Sequence, residues 1–227
     1  MFKKIIALAA IFTIIFTSFA GCGETNSFLG GAAEQKKNTV QSSEVYIPIE
    51  KIRTLNPVIT KDEDAYYVDK LIYEGLFGFD QNLTLTNVLA SSYSYAEDGG
   101  SVTIQLKKGI LWQDGKDLTA ADVKFTIDTI ISASASNNTM YAANLSNVKN
   151  TNPYQVTVYF NENRNISMSN FTFPIIPMHQ FKSIDAAKKS DAGFVPIGTG
   201  PYRVTDYNEL SHIVLNGYQD YHGGNIP

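Results

Sequence analysis

The stretch from Val102 to Ile131, VTIQLKKGILWQDGKDLTAADVKFTIDTII, constrains the fold more tightly than any other part of the chain. Val102, Ile104 and Leu106 alternate with Thr103 and Gln105, the period of a strand with one apolar face. Gly109 ends that strand, and Trp112 to Lys116 reads as a tight turn because Gly115, after an aspartate, takes positive φ at low cost. Thr119 is placed to cap a helix, with Asp122 at N3 reaching back to it. Leu118 and Val123 flank the cap as a hydrophobic staple. Val123, Ile127 and Ile130 then fall on one helical stripe. Strand, turn and capped helix form a well-specified module with nothing chemically reactive in it.

The N-terminus has the pattern of a targeting segment. Lys3 and Lys4 precede an apolar run from Ile5 to Phe19, and Ala20-Gly21-Cys22 follows. The run is short for a membrane span, and the small residues favour cleavage. Cys22 is the only cysteine, which excludes an intrachain disulfide. The segment resembles a bacterial lipoprotein signal, with Phe19 where Leu is usual. On that resemblance residues 1–21 are a signal peptide, and Cys22 is the lipidated mature N-terminus. A diacyl group carries two chains, enough to anchor a protein at about 0.8 kcal/mol per buried CH₂. Residues 22–44 are rich in Gly, Asn, Gln, Lys and Ser and read as a flexible tether. The formal net charge is −4 although the leader is positive, so the body is acidic and no basic patch offers nucleic acid a surface.

Beyond the tether, Val45 to Ile49 alternates and is expected to be the first strand. Leu55-Asn56-Pro57 reads as a turn. Asp62 to Asp64 start a helix, with Tyr67, Val68, Leu71 and Ile72 as its apolar stripe and Gly75 as its end. Leu76 to Phe79 lead into a connection around Asp80 to Asn82. Leu89 to Tyr95 precedes a turn at Asp98-Gly99-Gly100, and across that turn Tyr93 to Tyr95 reads as a hairpin with Val102 to Leu106. Ser132 to Asn138 is a loop, and Tyr141 to Leu145 a short helical turn. Tyr154 to Phe160 is a third strand, with Val156, Val158 and Phe160 on one face. Asn161 to Asn165 is a polar break. Phe171 to Met178, with two prolines, reads as an extended crossover. Phe181 to Lys189 is weakly helical. Pro196 to Tyr202, PIGTGPY, is a stiff loop permitting close backbone approach. Tyr202 and Val204 begin a strand that His212 to Leu215 pairs back onto, and Tyr218 to Gly224 is a loop. Long connections and few completed elements make this part of a larger architecture.

Reactive constellations are missing from the pattern. His179, His212 and His222 have no metal-ligand spacing, and with the one cysteine at the anchor no zinc set forms. Asp62, Glu63 and Asp64 lack calcium-loop spacing and suit a helix start. Asp114 and Asp117 lie by the turn and Asp122 by the cap, which argues against a glycosidase pair. There is no GxSxG, and PIGTGPY lacks the strand–GxGxxG–helix context of a dinucleotide site. No cofactor is implied. With 13 Tyr and 13 Phe, the body has rings for a core and for a polar ligand cleft, so binding fits better than catalysis.

Several segments together resemble family 5 of the extracytoplasmic solute-binding proteins, the oligopeptide, dipeptide and nickel group serving ABC importers. They are LNP at Leu55, IYEGLF at Ile72, LASSY at Leu89, WQDGKDLTAADVKFTID at Trp112, PIIPMH at Pro174 and PIGTGPY at Pro196, with NGYQDYHGGNIP at the end. The resemblance implies an α/β fold of the class II periplasmic-binding-protein type, two lobes closing on a ligand, here incomplete. Residues 45–72 and 172–227 would form part of the first lobe and residues 73–171 an inserted extra domain, with the second lobe missing. It implies no enzyme activity and no metal. The expected role is capture of oligopeptides or dipeptides outside the membrane for delivery to the permease, from a lipid anchor. The alternatives on the same fold are a signal- or pheromone-peptide receptor and a nickel or metallophore binder. The last would use arginine or histidine, and Arg53, Arg164 and Arg203 are the only arginines. By the same resemblance, ligand-backbone contacts map onto Lys61, Asp62, Glu63 and Tyr141.

Overall fold

A computed structural model describes residues 45–133, 138–161, 166–189, 194–209, 211–224 and 226. Cys22, the signal segment and the tether lie outside the described residues, as do parts of the expected loops at 134–137 and 162–165. The body from Ile47 onward clusters as one unit.

The central module forms as its sequence directs. Strand β4 (Ser101–Leu106) buries Val102, Ile104 and Leu106, and β6 (Gln155–Phe160) buries Val156, Val158 and Phe160. These pair antiparallel, with Ile104 opposite Val156 and Val102 opposite Val158. With β3 (Ala90–Tyr95) and β5 (Leu145–Asn152) they make one antiparallel sheet of order β3-β4-β6-β5. Helix α2 (Ala120–Ser132) packs against β5 and β6 and turns Val123, Ile127 and Ile130 into the core. Gly115 takes φ 84° in the turn before it. Burying a large apolar side chain contributes about 1.5–3 kcal/mol, and Trp112, Leu118 and Ile104 are all fully buried.

Asp122 does more than start α2. One carboxylate oxygen accepts from the Thr119 amide at 2.8 Å and from its hydroxyl at 3.1 Å. The other accepts from the Met178 amide at 2.9 Å. Thr126, one turn on, accepts from the Ile176 amide at 3.0 Å. The proline-interrupted crossover therefore stays extended along α2, with its amides satisfied by helix side chains.

Two elements escape the sequence pattern. Strand β5 lies at the edge of the sheet with only Leu145 and Val148 buried, so its sequence shows little of the apolar alternation that marks a half-buried strand. Strand β1 (Phe77–Phe79) pairs with β2 (Leu85–Asn87) where a simple connection was expected. One expected strand is absent. Residues 45–49 are exposed and not in a sheet, because no strand lies beside them among the described residues and alternation alone supplies no ladder.

A second apolar cluster gathers around helix α1 (Glu63–Ile72), with Ile52, Leu55, Val58, Ile176 and Ala187. Its buried face is Ala65, Val68, Asp69 and Ile72; Tyr67 is exposed and Leu71 only partly covered, which corrects the expected stripe. The helix also ends at Ile72, before Gly75, which instead allows the chain to pass the Thr172 backbone: an added Cβ would lie 2.8 Å from it. The short helices α3 (Thr139–Ala142) and α4 (Ile184–Ala187), 3-10 turns at Met168–Phe171 and Met178–Gln180, and the hairpin of β7 (Tyr202–Asn208) and β8 (His212–Gly217) complete the described elements. Phe125 of α2 belongs to this cluster and stacks on Phe181 at 5.9 Å.

The PIGTGPY loop closes over the end of α1. The Gly200 amide donates to the Ile72 carbonyl at 2.8 Å, and a Cβ at Gly198 would lie 1.8 Å from that oxygen. Gln113 fixes the loop from the other side. Its side chain donates to the carbonyls of Gly200 and Tyr202 at 3.1 and 2.8 Å and accepts from the Gly198 amide at 3.2 Å.

Candidate functional site

The residues singled out in the sequence lie on two elements that the fold holds together. The first is the turn and helix start from Leu55 to Glu63. Asn56 accepts from the Val58 amide at 3.1 Å and donates to the Ala187 carbonyl at 2.8 Å, so the turn is pinned at both ends. Asp62 sits at the N-cap of α1 but makes no cap bond there. Its carboxylate instead accepts from the Arg53 amide at 2.9 Å and from the Arg53 guanidinium at 2.5 and 3.2 Å. The hydrogen bond from Arg53 holds the Asp62 carboxyl below the usual carboxylate range. Lys61 and Glu63 on either side are exposed.

The second element is α3. The Asn138 side chain donates to the Pro57 carbonyl at 2.6 Å, and the Tyr141 amide donates to the Asn138 carbonyl at 3.1 Å. That contact ties the helical turn carrying Tyr141 to the Leu55–Pro57 turn. The Tyr141 ring is half-buried and packs against Phe173 at 6.1 Å.

Tyr66 was not singled out by sequence and belongs to the same wall. Burial raises its pKa first, and the phenols of Tyr141 and Tyr67 raise it further. Lys70 lies over the Tyr66 ring at 5.2 Å and donates to the Thr172 carbonyl at 2.8 Å. A pair of adjacent tyrosines outside the buried stripe was the signal available.

The remaining polar candidates are spent separately. His179 pairs with Asp114 at 2.8 Å, His212 with Asp206 at 2.8 Å and His222 with Glu74 at 2.7 Å. Among the described residues no three His, Cys, Asp or Glu side chains gather as a metal site. Asp114 also takes Lys116 at 3.1 Å, Asp117 faces Leu111 across the turn, and Asp122 is committed to the cap. Such a wall offers hydroxyls, rings and exposed charges to a ligand. Among the described residues, the wall of Lys61–Glu63, Tyr66 and Tyr141 holds no nucleophile beside a base.

Comparison with known proteins agrees with that chemistry. The family model described as bacterial extracellular solute-binding proteins, family 5 Middle, matches residues 84–227, and the chain belongs to this family. The glutathione-binding protein GsiB of Salmonella choleraesuis is 32% identical over 178 residues, covering 77% of this chain and 34% of its own. Among solved structures, NikZ of Campylobacter jejuni in complex with Ni(L-His) superposes with a TM-score of 0.69 at 26% identity, covering 77% of this chain and 35% of NikZ. The oligopeptide-binding protein AppA of Bacillus subtilis, in complex with a nonapeptide, gives 0.68 at 24% identity over 78% of this chain and 36% of its own. The fold is thus the α/β periplasmic-binding-protein type, and the chain spans about a third of the length of these relatives. No helix among the described residues is long and apolar enough to cross a membrane.

Proposed function

We propose that this chain is the first part of a substrate-binding lipoprotein of an ABC importer. It takes up oligopeptides or dipeptides outside the membrane and presents them to the permease. The observation that carries this reading is the joining of Lys61–Glu63 to Tyr141 through the Asn138–Pro57 bond in a member of a solute-binding family. The relatives' names cover glutathione, a nonapeptide and Ni(L-His), all built on amino acids. A cation–carboxylate pair at the start of α1 and phenols on both elements suit the charged and amide groups of an extended peptide. Hydrogen bonds to ligand backbone give affinity that tolerates sequence, and enclosure strengthens them by excluding water. In this reading Cys22 carries the lipid and residues 22–44 span from membrane to body. Residues 45–72 with 172–227 and residues 73–171 are separate structural domains. The apolar side chains divide into two clusters that follow this partition in the main, with Phe173 and Ile175 joining the first and Tyr73 and Phe125 the second.

One wall of a cleft binds weakly. Titration of the 227-residue chain with a mixed tripeptide pool, followed by two-dimensional NMR, is expected to shift the amides of residues 61–63 and 141. The affinity should be of millimolar order, about −4 kcal/mol. Shifts elsewhere, or none at saturating peptide, would overturn the assignment. A single peptide sequence co-purifying with the exported protein would move the reading to a signal-peptide receptor. Cys22→Ser is expected to release the protein from the membrane fraction, and retention would remove the lipid anchor from the reading.

A further inference from the structure

We propose that Tyr66 and Tyr67 extend this wall into a ring-binding shelf that selects ligands with an aromatic side chain, or a proline, next to the bound backbone. The inference rests on the peptide-binding reading and adds a specificity element to it. Tyr67 is 62% exposed and Tyr66 36% exposed, although both are large rings on a well-formed helix. They meet edge to face at 5.5 Å and 81°, the geometry that leaves a ring face open to a third ring.

The shelf is fixed from beneath. Lys70 covers Tyr66 and is itself tied to the Thr172 carbonyl, while Tyr141 leans on Phe173, one residue further along the same crossover. Both phenol-bearing elements are thereby anchored on residues 172–173. Tyr66, held in this way, loses little rotamer freedom when a ligand arrives, and Tyr67 meets it edge to face. The occupant follows from continuity with Lys61–Glu63, which begin the same helix one turn earlier. A peptide backbone lying along that turn would bring a neighbouring side chain over Tyr66 and Tyr67.

Saturation-transfer NMR on the 227-residue chain, with Ala-Ala-Ala, Ala-Phe-Ala and Ala-Pro-Ala at millimolar concentration, tests this directly. The phenylalanine ring and the proline ring are expected to receive the strongest saturation. Their peptides should bind roughly three- to tenfold more tightly than Ala-Ala-Ala, the range of one aromatic contact. In Tyr67→Ala, whose side chain is mostly in solvent, that preference should fall towards unity while circular dichroism stays unchanged. Equal binding of the three peptides, or a preference that survives Tyr67→Ala, would overturn the shelf and leave the peptide reading standing. Absence of saturation from any peptide would overturn both.

Discussion

Around α2 and the four-stranded sheet, the core is closed by apolar side chains whose neighbours are set by local pattern. Val102, Ile104, Val156 and Val158 face Val123 and Ile127, and the threonines of α2 bond their own helix carbonyls. Around α1, closure depends on single contacts between residues far apart in sequence. Gly198 touches Ile72, Asn56 holds Ala187, and Tyr207 donates to the Ile52 carbonyl at 2.7 Å. Glu74 accepts from Tyr221 at 2.8 Å and pairs with His222. Buried polar groups without a partner among the described residues occur in both regions, but most lie around α1: Trp112 Nε1 in the first, both oxygens of Asp69 and the hydroxyls of Tyr73 and Thr199 in the second. A densely patterned core tolerates small changes by repacking. A core of singular contacts does not. The second region is the one that carries the proposed ligand wall.

Matched glycine substitutions test that contrast most severely. Gly198→Ala places a methyl 1.8 Å from the Ile72 oxygen, backbone against backbone, and is expected to cost about 3 kcal/mol or more. Gly115→Ala has open space around it and should cost only the left-handed backbone penalty, about 1–2 kcal/mol. Urea denaturation read by Trp112, the only tryptophan, measures both. Equal losses would erase the distinction between the regions. Asp122→Ala comes next. It removes the acceptor for Thr119 and for Met178 together, and bonds to a charged group contribute about 1.5–3 kcal/mol. Because Met178 leads into the second region, hydrogen exchange should rise at residues 174–180 as well as at the start of α2. Protection lost only at the helix start would make the cap a purely local device.

What the sequence made legible divides along the same line. The β4–turn–α2 module could be read residue by residue because each position answers to a neighbour within a few residues: a glycine for a positive φ, an acid for a cap, a branched residue for a strand face. The α1 stripe was misread because Asp69 is buried and Tyr67 is not. Hydrophobicity alone prefers the reverse, and only tertiary packing turns the helix. Strand β5 was missed because its residues are polar. In the candidate wall, Tyr141 and Lys61–Glu63 were reachable through resemblance. Lys70 and Arg53 matter through contacts with Thr172 and Asp62 that no local spacing encodes, and Tyr66 through the Lys70 ammonium over its ring.

Asp69 gives the contrast a pH signature. Burial raises its carboxyl pKa well above the ordinary value. The fold therefore favours the protonated form. That stabilisation is complete below the usual carboxylate pKa of about 3.9 and is lost as pH rises through the folded value. Asp69→Asn keeps the shape and has no proton to lose. It should exceed the wild type in stability at pH 7 by about 1 kcal/mol, with the gap closing towards pH 3.5. A gap independent of pH would mean that Asp69 is not buried as a lone carboxyl.

The smallest effect is expected at the candidate wall itself, and its sign is opposite. The Arg53 hydrogen bond holds the Asp62 pKa down, so the pair stabilises the fold above the unfolded carboxylate pKa and ceases to do so as pH falls through the folded value. Arg53 is largely in solvent, so Arg53→Ala should cost less stability at pH 7 than any of the changes above, and nothing measurable near pH 2. Its informative consequence is chemical. With Arg53 gone, the Asp62 carboxylate is relieved of its guanidinium, and its carboxyl-carbon titration should move up towards the ordinary range. If Asp62 meets a ligand's cationic end, the same variant should bind tripeptide more tightly because the guanidinium no longer competes for that carboxylate. If the Arg53–Asp62 pair only positions the start of α1, binding should weaken along with the helix. The direction of that change tells a contact residue from a scaffold residue at a position where burial and hydrogen bonding alone assign both roles.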